Sequence, residues 1–197
     1  MGDKLNVGRR GRKRAATRSA IADAALELFL ERGFAAVSVN EVAERADVAT
    51  ATLFNYFPSK EALVFDRDDD LDSTLERVVR ERPPGATILE ALRDHALATW
   101  VPLALDPKLA ARRQLIAGTP TLRAYSERSW LEHADALAAV IAGELGRPAD
   151  DIASAAFARY VLDTAILTAG RDDVEVAVRS VFEILAQGWQ AEASPAG

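Results

Sequence analysis

Three short helical segments fall between residues 21 and 57, separated by one glycine and one tight turn, and this spacing leaves the chain few folds to choose from. Ile21, Ala24, Ala25, Leu28 and Phe29 recur at helical spacing, with Asp23, Glu27 and Glu31 on the other faces. Gly33 ends this helix, because glycine takes the left-handed conformation at C′ without steric cost. Phe34 follows, placed to pack back on the last turn. Ser38 opens the second helix, and Glu41 three residues later completes a capping box. Val39, Val42 and Ala43 form its buried stripe. Asp47 occupies the turn, since Asp tolerates left-handed backbone better than most side chains. The third helix runs from about Thr50 to Tyr56, with Leu53, Phe54 and Phe57 as its apolar residues.

Helical periodicity continues through the rest of the chain. Pro58-Ser59 breaks it, and Ser59 caps a fourth helix predicted to reach Val78. Pro83-Pro84-Gly85 is a further breaker. Five more helices are expected near residues 87–100, 108–117, 122–145, 151–169 and 173–189, with Pro102 and Pro107 bounding a break. No run of β-branched residues with period two interrupts them. The fold class read from this pattern is all-α. Residues 1–14 read as a flexible basic arm and 15–62 as a three-helix domain. Residues 63–190 read as a larger helical domain, and 191–197 as a disordered tail.

Charge narrows the function. The chain carries a formal charge of -6, but unevenly. Residues 1–18 hold seven basic side chains against Asp3, a net +6, whereas residues 61–197 hold fourteen basic against twenty-three acidic, a net -9. A basic head on an acidic body suits a protein that turns one face to phosphate. A solubilising tail would carry the same charge. There is no cysteine, which excludes disulfides, thiolate zinc sites and a cysteine nucleophile. No stretch approaches the roughly 18 apolar residues of a membrane span. No apolar segment follows the basic start, so a cytoplasmic location is expected.

Three helices with a tight turn between the second and third describe a helix-turn-helix, in which the third helix enters the major groove of duplex DNA. Thr50, Ala51, Thr52 and Asn55 are its candidates for base edges. Thr can contact either base type, and Asn can bond adenine bidentately. Tyr56, Lys60, Thr17 and Arg18 are candidates for phosphate, a contact that positions the duplex without reading it. Ser38 and Val39, where the second helix begins, complete the expected contact set. A packed three-helix segment without DNA function is the plainer alternative.

The run AALELFLERGFAAVSVNEVAERADVATATLFNYFPSKEAL, from Ala24 to Leu63, resembles the DNA-binding domain of the TetR family of transcriptional regulators. It departs from the family's habit at three places. Asp47 stands where the family usually has Gly, Ala49 where it commonly has Ser or Thr, and Phe54 where it often has Tyr. The resemblance implies a regulator, more often a repressor, that binds a palindromic operator as a homodimer and is released by a small-molecule effector, largely apolar.

It also implies an effector pocket in the larger domain and dimerisation through the last two main helices. Candidates for the pocket are Trp100, Leu115, Leu122, Tyr125, Trp130, His133, Leu137, Phe157 and Tyr160. Candidates for the dimer face are Ala155, Ala156, Arg159, Tyr160, Asp163, Leu167, Val178, Val181, Phe182, Leu185 and Trp189. Each is equally a candidate for the protomer's own core. The helix from Ser59 to Val78 is the expected transmitter between effector and DNA.

An enzyme reading finds little support. His95 and His133 lie far apart, and no HExxH, P-loop or nucleophile-elbow pattern occurs. The acidic cluster Asp66, Asp68, Asp69, Asp70 and Asp72 lacks the glycine and ligand spacing of a calcium loop and reads as a solvated face. No cofactor and no metal are expected. The remaining rival is a helical interaction protein that does not bind an operator.

Overall fold

The computed structural model describes the backbone of residues 3–65 and 74–193 and the side chains of 11–65 and 74–188. Every regular element among these residues is helical: α1 Asp3–Arg32, α2 Val39–Arg45, α3 Thr50–Phe54, a 3-10 turn at Glu61–Val64, α4 at 74–80, α5 Ile88–Ala104, α6 Pro107–Gly118, α7 Pro120–Glu144, α8 Ile152–Thr168 and α9 Val174–Ala193. The chain divides into two compact units, Met1–Asp68 with Ala111–Tyr125, and Asp69–Ala110 with Ser126–Gly197. The end of α6 and the start of α7 thus belong to the first unit, and their remainders to the second.

In the first unit Ile21, Ala25 and Phe29 of α1, Val42 of α2, and Leu53 and Phe57 at α3 are buried in one core. Leu122 is buried in the same core, and Leu115, Ile116 and Tyr125 pack against it. Gly33 takes a φ of 83° and its N–H reaches the Phe29 carbonyl at 2.9 Å, closing α1 as the sequence predicts. Asp47 has a φ of 52°, the one positive value among the described non-glycine residues. In that conformation Val48 N–H returns to the Ala43 carbonyl at 3.0 Å, which folds the chain sharply between α2 and α3. The Asp47 side chain is exposed. Asp47→Gly is therefore expected to stay within about 0.5 kcal/mol of the parent, the relief of left-handed strain offsetting the looser unfolded chain. Asp47→Val should lose about 1–2 kcal/mol, because a β-branched side chain collides with the backbone there. Urea denaturation of the two variants checks both values.

In the second unit Leu92 and Ala96 of α5, Ile141 of α7, Phe157 and Val161 of α8, and Val178 and Phe182 of α9 are buried together. Local signals set the helix starts. Thr87 and Glu90 cap α5 reciprocally at 3.1 and 2.8 Å. Asp151 caps α8 by accepting from Ser154 N–H at 2.8 Å. Pro107 and Pro120 stand at the first positions of α6 and α7, where the missing N–H costs nothing.

Four boundaries differ from the sequence reading. α1 begins at Asp3 rather than near Arg18, because Arg and Lys propagate a helix well and no proline stops them. α5 runs through Pro102 to Ala104, so the break expected between Pro102 and Pro107 narrows to Leu105 and Asp106. The fourth helix is not continuous from Ser59: a 3-10 turn opened by Ser59 Oγ, which accepts from Ala62 N–H at 3.2 Å, ends at Phe65. α9 reaches Ala193, three residues into the expected tail. The acidic cluster between Asp66 and Asp72, and the tail from 194 onward, lie outside the described residues.

Candidate nucleic-acid interface

The helix-turn-helix is assembled from local bonds. Glu41 N–H donates to Ser38 Oγ at 3.3 Å, and Ser38 N–H to Glu41 Oε2 at 2.8 Å. Arg32 Nη2 meets the other Glu41 oxygen at 2.7 Å. Hydrogen bonds from the Ser38 backbone and hydroxyl, with the Arg32 bond next, hold the Glu41 carboxyl down to a pKa of about 2. The cap is thus ionised throughout the neutral range. Ala49, the residue before α3, offers no side-chain cap. Thr50 Oγ1 donates to Asn40 Oδ1 at 3.0 Å, which ties the start of α3 to α2 without capping it.

Leu53 and Phe57 anchor α3 from below, both fully buried. Its outward residues are Ala51, Phe54 and Asn55, with Thr50, Thr52 and Tyr56 half-buried at the edges. Phe54 is 49% exposed, so it belongs to the outward face although it is apolar. Asn40 and Phe54 are the functional candidates that sequence reasoning missed. Projecting α3 with Leu53 and Phe57 inward would have turned Phe54 out.

The expected phosphate contacts divide. Thr17 and Arg18 lie on α1 beside the end of α3. Arg18 Nη1 donates to the Tyr56 carbonyl at 3.0 Å, and its guanidinium lies 4.6 Å from the Phe57 ring centre. Arg14 sits 5.8 Å over the Tyr56 ring. Thr17 Oγ1 donates back to the Lys13 carbonyl at 3.0 Å. Lys60 is half-buried: its ammonium lies 4.3 Å from the centre of the Phe34 ring and donates to the Phe34 carbonyl. Burial lowers its pKa from the ordinary lysine value. In this position Lys60 ties the start of the 3-10 turn to the residue that follows α1. Ser38 is exposed and Val39 half-buried at the start of α2. The charges of Lys4, Arg9 and Arg10 fall outside the described side chains.

The sequence profile of bacterial regulatory proteins of the tetR family matches residues 21–66. That of the MftR C-terminal domain matches residues 83–192, more than half of the chain. The chain belongs to the TetR family. The regulator MftR of Mycobacterium tuberculosis is 30% identical over 157 residues, 79% of each protein. The transcriptional repressor KstR of Rhodococcus jostii is 34% identical over 149 residues, 75% of this chain and 60% of that one. Among solved structures, a TetR-family regulator of Streptomyces coelicolor superposes with a TM-score of 0.61 at 23% identity, over 90% of this chain and 94% of that one. As a TetR-family member this is an all-α DNA-binding regulator with an N-terminal helix-turn-helix.

The residues nominated for an effector pocket do not all share one core. Leu122 lies in the core of the first unit with Leu115 and Tyr125 packed on it, and the Tyr125 ring stacks on Phe65 at 5.1 Å. Trp100, Leu137 and Phe157 are buried in the second unit, with Trp130 at their margin. Trp130 Nε1 donates to Asp163 Oδ1 at 2.9 Å, and His133 Nε2 pairs with Ser129 Oγ at 2.9 Å. Tyr160 is exposed. A cavity of about 140 Å³ on the second unit is lined by Leu89, Arg93, Arg179, Phe182, Glu183 and Ala186, none of them among the expected pocket residues.

The dimer candidates divide as well. Val178 and Phe182 are buried in the protomer's own core, because they occupy the α9 face that meets α5 and α8. Leu185 packs at the core margin. Ala155, Arg159, Asp163 and Val181 are half-buried, whereas Ala156, Tyr160 and Leu167 face outward. The Trp189 side chain is outside the described residues. Ile152, Ile166, Val176 and Ile184 are exposed too and were not anticipated. Among the described residues no cluster of His, Asp or Glu is placed to hold a metal ion, and no helix is long and apolar enough to cross a membrane.

Proposed function

We propose that this protein is a homodimeric repressor whose two α3 helices occupy successive major grooves of a palindromic operator and leave it when a small molecule binds the second unit. The observation that carries the DNA half is the outward face of α3. Ala51, Phe54 and Asn55 are exposed there while Leu53 and Phe57 hold the helix rigidly from beneath. Asn55 reads adenine, and the Phe54 ring with the Thr50 and Thr52 methyls meets thymine methyl groups. Ser38, Val39, Thr17, Arg18 and Tyr56 position the phosphates. Lys60 joins them only by leaving its seat on Phe34.

The exposed apolar side chains of α8 and α9 support the homodimer, since a helix that is apolar on two sides needs a second surface to cover it. Names of relatives that include "repressor", as KstR does, support the direction of regulation. We assign transmission to the α6–α7 corner instead of the chain from Ser59 to Val78. Both helices have residues in each unit. Within the first unit, Arg112 of α6 donates to the Val64 carbonyl at 3.1 Å, and Tyr125 of α7 stacks on Phe65. Effector binding shifts the population between two geometries of this corner.

Selection from a random duplex library with the purified protein, at two salt concentrations, tests the reading. A single two-fold-symmetric site that weakens as salt rises is the expected result, because phosphate contacts release counterions. A folded protein that enriches no site would instead be a helical interaction protein.

A further inference from the structure

Two buried polar atoms in the second unit lack a partner, and they are neighbours. Trp100, on α5, is 7% exposed within the core that holds Leu137, Phe157 and Val161. Its indole Nε1 is buried and has no hydrogen-bond acceptor. The His95 ring stands edge-on to it, with centres 6.4 Å apart and planes at 85°. His95 Nε2 is buried without a partner as well. Among the described side chains of the same unit, Trp130 Nε1 reaches Asp163 and His133 Nε2 reaches Ser129. Native proteins pair nearly all buried polar atoms, so two adjacent exceptions call for a cause.

We propose that His95 and Trp100 form the polar anchor of the effector site, and that the effector is a compact, largely apolar molecule carrying one hydrogen-bond-accepting oxygen, a carbonyl or a carboxylate. This inference rests on the reading of the protein as an effector-released regulator. The indole can only donate, and a neutral imidazole donates from Nε2 in one of its two tautomers, so an acceptor oxygen suits both atoms. Burial, and then the charge of Arg77, lowers the His95 pKa from its ordinary value, which favours the neutral ring. The anchor is therefore a pair of neutral donors and not a cation. The nearby Arg77 charge favours an oxygen that bears negative charge. The apolar side chains around the pair set the character of the rest of the ligand.

The test is a titration of the 15N-labelled full-length protein with acetophenone, benzoate and ethylbenzene. The first two carry the oxygen as carbonyl and as carboxylate, and the third matches acetophenone in size without it. The Trp100 indole signal is assigned by its loss in Trp100→Phe. Acetophenone or benzoate is expected to move it downfield, whereas ethylbenzene leaves it in place. His95→Leu should weaken the effective probe about fivefold, the worth of one neutral hydrogen bond, and raise the melting temperature by removing an unpaired buried atom. No shift with either oxygen probe, or an equal shift with ethylbenzene, overturns the proposal. Should His95→Leu fail to fold, the comparison of probes on the parent protein decides alone. Operator binding without any probe separates the two readings. A parent that selects no operator sinks the regulator, whereas one that binds its operator with a silent Trp100 sinks only this anchor.

Discussion

Phe57→Ala is expected to destabilise the DNA-binding unit by about 3–5 kcal/mol, the usual cost of removing a fully buried aromatic side chain. Phe57 follows α3, and its N–H is bonded to the Leu53 carbonyl at 3.0 Å. Its ring is completely buried and lies beneath the Arg18 guanidinium, which itself holds the Tyr56 carbonyl. Truncation therefore leaves a cavity and removes the surface on which Arg18 rests. Domains of this size have only about 5–15 kcal/mol of total stability, so the unit should melt well below its parent and lose DNA. Urea denaturation followed by far-ultraviolet circular dichroism reads the change. A loss under about 1 kcal/mol would mean that the ring is not a core element. Phe54→Ala, three residues earlier, provides the contrast. That ring is half exposed, so its removal should change stability by about 0.5 kcal/mol or less while weakening operator binding.

The second large effect is expected at the far end of the chain. Leu167 of α8 and Ile184 of α9 are 63% and 69% exposed, and replacing both with Glu should convert the proposed dimer into a monomer. Neither side chain contributes to the protomer core, so helicity and the fold of each protomer should persist. Two unpaired carboxylates brought into an apolar interface occur twice there, once from each protomer, which multiplies the penalty. A monomer presents one α3 to one half-site and loses the effective concentration supplied by linkage. Operator affinity should then fall by about 100-fold or more. Sedimentation and operator titration on the same sample check the two halves. A Leu167→Glu/Ile184→Glu protein that remains a dimer would place the interface elsewhere.

Much of the architecture is written locally. Ser38 with Glu41 and Asp151 with Ser154 mark helix starts because a side-chain oxygen sits within reach of an orphan N–H. Gly33 and Asp47 mark the bends because they accept backbone that other residues resist. Signals of this kind need no knowledge of the rest of the chain. The helix order and the position of the recognition helix follow from them.

Partnership is not local. Periodicity shows that a helix has an apolar face, but what meets that face comes from distant sequence. Leu115, Leu122 and Tyr125 look like pocket residues in the sequence, yet they pack in the core of the DNA-binding unit. On α9, Phe182 turns inward to α5 and α8, while Ile184, two residues on, turns out. Both are large and apolar, and only the crossing of the helices separates them. Lys60 shows the same for charge. Its sequence position suggests phosphate, whereas the nearness of Phe29 and Phe34 gives its ammonium an aromatic seat and a carbonyl acceptor. Capping and turn chemistry act within a few residues, so the linear order alone carries most of the helix starts, their succession and the recognition element. Which apolar and charged side chains are buried within a protomer and which stay exposed came from the tertiary structure, because burial depends on neighbours that the linear order does not contain.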